Sequence, residues 1–143
     1  FSSRLTEEVR EKRGLAYSVY SYLYDLDLSP LWLGGVATNN AQVAQSLSLV
    51  REELKKLAAG DIAQHELDDA RTYLTGSFPL RLTSNDQTAK LLGMMLFQDL
   101  GRDYLERRNG LIEAVTLDDV RRVSARLFSG EMLVSVVGDP QGI

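Results

Sequence analysis

Arg10 and Tyr17 are the two residues whose types and spacing best suit a chemical role in this chain. The stretch Ser3 to Tyr17 predicts a charged amphipathic helix that stops at Gly14 and is followed at once by a strand. A helix-to-strand turn can bring a side chain from the last helical turns and one from the start of the strand onto one surface. A guanidinium beside a phenol offers several hydrogen-bond donors to a carbonyl oxygen or an oxyanion. We therefore take this pair as the candidate site.

The same two residues also have purely structural interpretations. Arg10 can pair with Glu7 or Glu11 or extend into solvent, and Tyr17 can cover the edge of a core. The spacing alone leaves these alternatives open.

Metal and nucleophile chemistry is not supported by the remaining residues. His65 is the single histidine, and it shares a predicted helix face with Asp68 and Asp69. A catalytic zinc takes two or three histidines with a carboxylate, and neither H-E-x-x-H nor H-x-x-E-H occurs. We therefore expect no metal site in this chain. No serine lies in G-x-S-x-G, and the absence of cysteine excludes disulfides and thiolate ligands.

The composition is that of an ordinary globular chain, with 44% hydrophobic and 25% charged residues among 143. The net charge of −4 and the lack of a basic stripe argue against nucleic acid as a partner. The apolar run Leu91–Phe97 is far shorter than the about 20 residues that cross a bilayer, so we expect no membrane span.

The first helix is predicted to be capped by Ser2 or Ser3 and to run to about Arg13, with Leu5 and Val9 on its buried stripe. This helix carries Arg10 near its end.

Two antiparallel strands are predicted next, over 16–24 and 31–37, with a turn at 25–30 and two glycines at a bulge or close approach in the second strand. Three tyrosines share one face of the first strand: Tyr20, Tyr22 and Tyr24. Tyr17 lies on the other face beside Val19, provided that no bulge intervenes.

Five helices are then predicted, over 41–59, 63–75, 84–100, 103–114 and 117–127. The expected caps are Asn39 or Asn40, Ser84 or Asn85, and Thr116. The longest helix has a buried stripe: Val43, Leu47, Val50, Leu54 and Leu57. Met94 and Met95 are assigned to the core.

The uncharged segment 132–137 is predicted as a strand in the centre of a sheet. The order of elements gives an α+β fold, with an antiparallel-containing sheet and helices packed on one face. Three strands are few for this many helices, so we expect further strands before Phe1. We thus interpret residues 1–143 as one domain that is a piece of a longer chain.

The opening segment resembles the zinc-free domain of the insulinase/pitrilysin family of zinc metallopeptidases, which also includes the processing peptidases. The resemblance lies in Ser3-Arg4-Leu5, Arg10-Glu11-Lys12, Gly14-Leu15 and Tyr17. It continues at Gly60–Leu67, where Ala63 replaces a usual capping threonine, at Val115–Val120 and at Val136–Gly138. We expect the cap at Ala63 to be weaker for this reason.

The resemblance implies one half of a clamshell of homologous α+β domains. The other half carries zinc on an H-x-x-E-H motif, and the zinc-free half contributes an arginine and a tyrosine that reach the substrate beside the metal. These positions match Arg10 and Tyr17. Zinc is therefore expected in a partner domain or subunit, and this chain alone is expected to be inactive.

The function implied is that of a non-catalytic, substrate-binding domain whose partners are a zinc-bearing homologous domain or subunit and a peptide. A structural homologue without a peptidase role, like the core subunits of respiratory complexes, is the alternative. A peptide-binding module that uses an exposed sheet edge is a third interpretation, and the isolated domain is a candidate homodimer. Bacterial members are often exported, which favours a periplasmic or otherwise exported location.

Overall fold

The computed structural model describes residues 3–26 and 28–143, and it divides into two compact units. The first unit comprises the chain up to Gly60 together with Ser124–Ile143, and the second comprises Asp61–Val123. The expectation of a single domain over residues 1–143 stays a prediction.

The first helix, Thr6–Glu11, is wider than an α-helix. Its closing bond runs from the Lys12 N–H to the Glu7 carbonyl, five residues earlier, at 2.8 Å. The Thr6 N–H donates to Ser3 Oγ at 3.2 Å, which confirms Ser3 as a cap. Ser2, the other predicted cap, lies outside the described residues.

Strands β1 (Ala16–Tyr24) and β2 (Leu31–Thr38) form an antiparallel pair, which confirms both predicted strands. The close approach expected at the glycines is also found, because a Cβ on Gly34 would lie 2.9 Å from the Tyr20 carbonyl oxygen. The bulge lies elsewhere, in β1 between Ala16 and Ser18.

The core of the first unit is small and lies where the first helix, the sheet and helix α1 (Val43–Ala58) meet. Its buried members are Val9, Leu15, Ala16 and Leu49, with Val19 and Val36 packed against them. A short 3₁₀ turn, Asn40–Gln42, precedes α1, and Asn39 makes no capping bond from its side chain. Asn39 therefore occupies the predicted N-cap position, with an extended backbone, but the side-chain hydrogen bond expected of a cap is not made.

Helix α1 buries two of the five residues of its predicted stripe, Val50 and Leu54, but it also buries Ser46 and Glu53. The Glu53 side chain is only 6% exposed and accepts a hydrogen bond from Lys56 Nζ at 2.6 Å. Arg4 Nη1 lies 4.0 Å from its other oxygen. This pairing explains a buried carboxylate, since an unpaired one would be strongly unfavourable. The hydrogen bonds that Lys56 donates to Glu53, and then to Glu52, raise the pKa of Lys56.

The second unit is helical. Its elements are α2 (Gln64–Gly76), a 3₁₀ turn (Phe78–Leu82), α3 (Asn85–Phe97), α4 (Tyr104–Glu113) and the start of α5 (Leu117–Phe128). Arg108 links α4 to the α2 end, because its guanidinium lies 4.0 Å from the centre of the Phe78 ring and donates to the Leu74 carbonyl at 3.1 Å.

Helix α3 differs from its prediction at two points. It ends at Phe97 rather than at residue 100, because Asp99 adopts a left-handed φ of 51° and the Leu100 N–H turns back to the Met95 carbonyl at 3.0 Å. Met95 is buried as predicted, but Met94 is 39% exposed, so its assignment to the core was wrong. The two are adjacent and point about 100° apart around the helix, so one face cannot bury both equally.

The predicted central strand over 132–137 is not formed within the described part of the chain. The segment has no strand partner, because β1 and β2 pair only with each other in the sheet that the structure describes. Leu133 and Val137 are 99% and 98% exposed. The lack of charged residues correctly identifies 132–137 as apolar. A β-strand also requires a neighbouring strand whose backbone N–H and C=O groups are free to form hydrogen bonds with it.

The α+β class is confirmed, and α1 packs in the first unit against the sheet. Over residues 3–26 and 28–143, no helix has the length and apolar character to cross a membrane.

Helix α5 is capped as predicted by Thr116, whose Oγ1 accepts from the Asp119 N–H at 3.1 Å. In return, Asp119 Oδ2 accepts from the Thr116 N–H at 3.1 Å and from its hydroxyl at 2.6 Å. At α2, Ala63 has no side-chain acceptor, and only the reverse bond from the Ala63 N–H to Glu66 Oε2 is made, at 2.8 Å. This difference agrees with the weaker cap expected there.

Loss of the α5 cap is expected to be measurable and dependent on pH. Thr116→Val should lower the free energy of unfolding by about 1 kcal/mol. Hydrogen bonds from the Thr116 hydroxyl and backbone, and then from Arg122, lower the pKa of Asp119 to about 2. A pKa depressed in the folded state stabilises the fold above the unfolded value of 3.8, and this contribution is lost as the pH falls to about 2.

Thermal denaturation of Asp119→Asn across this pH range tests the coupling. The variant should melt below the wild type at neutral pH, and the gap should close between pH 4 and pH 2. Asp118→Asn is the matched control, because Asp118 is adjacent to Asp119 in the chain and its own carboxylate is 94% exposed. A gap that is constant with pH would contradict the assignment.

Candidate functional site

The junction between the first helix and β1 is a tight turn closed by two backbone hydrogen bonds. The Gly14 N–H donates to the Arg10 carbonyl and the Leu15 N–H donates to the Val9 carbonyl, both at 2.9 Å. Gly14 adopts the left-handed conformation, with φ at +60°, as is typical of a glycine that ends a helix. The chain therefore reverses direction within a few residues, and β1 packs against the helix that precedes it.

Buried side chains on both sides of this turn fix its orientation. Val9 is 0% exposed, and Leu15 and Ala16 are 6% and 5% exposed. Two of these three residues directly precede a residue that lies outside the core: Val9 precedes Arg10, and Ala16 precedes Tyr17. The packing of the core thus places Arg10 and Tyr17 at the surface.

A β-bulge at the start of β1 accounts for the position of Tyr17. Ala16 lies opposite Thr38 and Ser18 lies opposite Ala37, so Tyr17 is the extra residue of the strand. Val19 packs against the core, whereas Tyr17 is 87% exposed. The unbulged alternation, with Tyr17 on one face beside Val19, therefore does not hold. The bulge releases Tyr17 from the core face without moving Val19 off it.

The structure brings Arg10 and Tyr17 together. The Cζ atom of Arg10 lies 5.4 Å from the centre of the Tyr17 ring, within the range of a cation–π contact. Arg10 Nε also lies 3.4 Å from Glu11 Oε1, which is one of the two ion pairs that the sequence allowed. The two predicted site residues are adjacent on one surface.

The other charges of the first helix are paired more closely. Lys12 Nζ lies 2.9 Å from Glu7 Oε1 and 2.6 Å from Glu8 Oε1, and Arg13 also pairs with Glu8. Hydrogen bonds from Lys12, and then from Arg13, lower the pKa of Glu8 to about 2, so it is a carboxylate at neutral pH. In turn, the hydrogen bonds that Lys12 donates to Glu8, and then to Glu7, raise the pKa of Lys12. Glu7 and Glu8 therefore direct their charge toward Lys12 and Arg13.

Thr38 is a supporting residue that sequence reasoning missed. Its hydroxyl donates to the Leu15 carbonyl and ties the end of β2 to the turn beside Gly14. The sequence shows only a threonine that follows a predicted strand. Its bond to Leu15 could not be predicted, because the two residues are 23 positions apart in the chain. The bulge and the paired charges around Glu8 were also not predicted.

The candidate metal residues do not come together. Asp68 accepts from Gln64 Nε2 at 2.9 Å and from Arg71 Nη1 at 3.1 Å, and His65 is exposed on the same helix. Within residues 3–26 and 28–143, no group of three or more histidine, aspartate or glutamate side chains is arranged to hold a metal ion. The donor set of this helix does not fit a catalytic zinc.

Comparison with known proteins agrees with the resemblance in the opening segment. The family model described as the peptidase M16 inactive domain matches residues 1–74. An uncharacterized zinc protease of Streptomyces coelicolor is 35% identical over 143 residues, covering 96% of this chain and 30% of that protein. A protein of Helicobacter pylori named as a non-peptidase homolog is 38% identical over 81 residues, covering 57% of this chain and 19% of that protein.

A solved structure shares the fold. The crystal structure of a peptidase M16 inactive domain from Pseudomonas fluorescens superposes with a TM-score of 0.74 at 32% identity, covering 88% of this chain and 30% of that one. The chain thus spans about a third of the length of the relatives that it matches over most of its own length.

The turn that presents the site is expected to depend on Gly14. An alanine at this position has space, since nothing lies within 4 Å of its Cβ, but a left-handed conformation costs a non-glycine residue about 1–2 kcal/mol. Gly14→Ala should lower the free energy of unfolding by this amount in chemical denaturation.

Gly93→Ala is the matched control, because it also has open space but lies within helix α3 without a positive φ. That variant should be more stable by about 0.5–1 kcal/mol. Equal effects at the two positions would show that the conformation of Gly14 does not hold the turn.

Proposed function

This chain belongs to the peptidase M16 inactive-domain family, and we propose that it is the substrate-binding half of an insulinase-type zinc peptidase. The observation that carries the proposal is the contact of Arg10 with Tyr17 at an exposed surface, 5.4 Å from guanidinium carbon to ring centre. We propose in the same way that the assembled protein hydrolyses peptides and that the zinc-bearing half is its partner.

The pair offers hydrogen-bond donors that suit a peptide carbonyl. The guanidinium has five N–H donors in a planar fork and the phenol has one O–H donor. Arg10 is in contact with the ring of Tyr17, so the two side chains restrict each other before a substrate arrives. Donors that are already ordered need little reorganisation when a carbonyl oxygen gains negative charge.

Each residue then has a separate role. Tyr17, which is 87% exposed, donates its hydroxyl hydrogen to the scissile carbonyl oxygen as that oxygen becomes an oxyanion. Arg10 binds a neighbouring carbonyl of the same peptide through its fork and fixes the position of the chain. The Tyr17 interaction strengthens as charge develops on the scissile oxygen, as selective stabilisation of a transition state requires, whereas Arg10 contributes by positioning the peptide.

The metal is assigned to a homologous half, in the same polypeptide or in a second subunit, because the donors around His65 do not fit zinc. When bound there, zinc supplies Lewis-acid polarisation of the carbonyl and an activated water. The residues of this chain hold and orient the peptide from the opposite side.

A structural role without peptidase activity is the second candidate. It is favoured by one observation, the relative from Helicobacter pylori that is named as a non-peptidase homolog. On this alternative, Arg10 and Tyr17 would only support the turn.

The two candidates are separated by substitutions in the assembled peptidase. Arg10→Ala and Tyr17→Phe are each expected to lower kcat/KM for peptide hydrolysis on the order of 100-fold, because Tyr17→Phe removes the donor to the scissile oxyanion and Arg10→Ala removes the group that positions the peptide. The zinc content, measured by atomic absorption, should be unchanged. Arg10→Lys should fall between wild type and Arg10→Ala, because it keeps the charge but loses the fork.

Tyr73→Phe is the matched control, since Tyr73 is a 64% exposed tyrosine on α2. Its kcat/KM should equal that of the wild type. Unchanged turnover in Arg10→Ala and Tyr17→Phe, or no hydrolysis by the wild-type assembly, would support the structural role instead.

A further inference from the structure

The sheet has a second exposed feature beyond Tyr17, on the face that does not pack on the core. Residues directly opposite each other in an antiparallel pair place their side chains on the same face. Tyr20, Tyr22 and Tyr24 lie opposite Gly35, Leu33 and Leu31. We call the set Tyr20, Tyr22, Tyr24, Leu31 and Leu33 the tyrosine face.

The tyrosine face is apolar and exposed. Its three tyrosines are 55%, 48% and 51% exposed, and its two leucines are 43% and 37% exposed. Val19 and Val36 form a pair on the opposite face and pack against the core. The core thus covers the other face of the sheet at the Val19–Val36 pair, although Leu23 on that face is 72% exposed, whereas every member of the tyrosine face is at least 37% exposed.

Two of the tyrosines are ordered by their surroundings. The Tyr20 ring lies over Gly35, where a Cβ would be only 2.8 Å from the Tyr20 hydroxyl oxygen. The rings of Tyr20 and Tyr22 stack with centres 6.1 Å apart and an angle of 22° between their planes. Rings held in this way lose little conformational entropy on binding.

Neither strand contains a charged residue, although charged residues make up 25% of the chain. A ligand side chain with a formal charge would therefore be desolvated on this face without a partner of opposite charge. The chemistry of the face selects apolar and aromatic side chains, with the tyrosine hydroxyls available for hydrogen bonds to backbone groups.

The area of the face and its position on β1 favour a peptide over a second folded protein. Five side chains that are each about half exposed offer on the order of 500 Å². A stable interface between folded proteins needs about 800 Å² from each partner. The face also continues along the strand that begins with Ala16 and Tyr17, which carries the proposed carbonyl site.

We propose that the tyrosine face is a specificity subsite that binds alternate apolar side chains of an extended peptide substrate. The tyrosines repeat every second residue, at about 6.8 Å, which is the spacing of same-face side chains in an extended peptide. Tyr20 is three residues beyond Tyr17, so the first subsite lies about 10 Å from the carbonyl site. The inference rests on the proposed function, because it describes how the same substrate is selected.

The test compares two peptides of equal length and identical sequence around the scissile bond. At two alternate positions distant from that bond, one peptide carries phenylalanine and the other carries aspartate. The wild-type assembled peptidase should cleave the phenylalanine peptide with a KM about 10-fold lower, a difference of about 1.4 kcal/mol in binding. The variant Tyr22→Ser/Tyr24→Ser should reduce this ratio to near one.

A variant that gains a new preference cannot be explained by misfolding, so a second variant is designed to change the specificity instead of removing it. Tyr22→Glu should bring a third peptide, with lysine at the same positions, to a lower KM than the phenylalanine peptide. Tyr73→Ser, on α2, is the control and should keep the wild-type ratio. A ratio that survives in Tyr22→Ser/Tyr24→Ser, together with no switch in Tyr22→Glu, would overturn the inference.

Failure of the proposed function gives a different pattern. Arg10→Ala should slow cleavage of both peptides while keeping their ratio. If no hydrolysis occurs at all, fluorescence anisotropy of labelled peptides on the same assembly still decides the inference. Tighter binding of the phenylalanine peptide that is lost in Tyr22→Ser/Tyr24→Ser supports the subsite, and equal binding of both peptides overturns it.

Discussion

Complete burial of Val9 is the interaction on which the candidate site depends. Val9 packs with Leu15 and Ala16, so the end of the first helix and the start of β1 are held against the same core. The turn between them must then be short, and Gly14 supplies the left-handed residue that closes it. Arg10 directly follows Val9, and its direction away from the core is a consequence of that packing.

The bulge in β1 allows Ala16 and Val19 to face the core together, which a regular strand would not permit. Ala16 and Val19 both contact the core, yet they are three residues apart and regular alternation would place them on opposite faces. One extra residue at Tyr17 resolves the conflict and leaves its side chain 87% exposed beside Arg10. Core packing on one side of the strand thus generates the exposed aromatic ring on the other.

The sequence predicted the elements that follow from local patterns, such as the two strands, the caps at Ser3 and Thr116, and the closeness of Arg10 and Tyr17. It did not predict features decided by partners distant in the chain. The bulge depends on the register with Thr38, and the expected strand over 132–137 lacks a neighbour with which to pair. Burial of Glu53 depends on Lys56, which is near it in the chain, but also on Arg4, which is close in space and distant in sequence.

On the proposed function, the candidate site formed by Arg10 and Tyr17 is one part of a larger active site. Arg10 and Tyr17 are in contact with each other, and the turn that carries them is held by contacts within this chain. Donors of this kind stabilise negative charge that develops on a bound group, but they neither activate a water nor provide a nucleophile. The acidic helix around His65 does not supply the missing function, because Asp68 is already bound to Gln64 and Arg71. On the proposed function, a pair of adjacent donors without a nucleophile suits one half of a shared active site, because the partner would bring the reactive group to donors that already lie side by side.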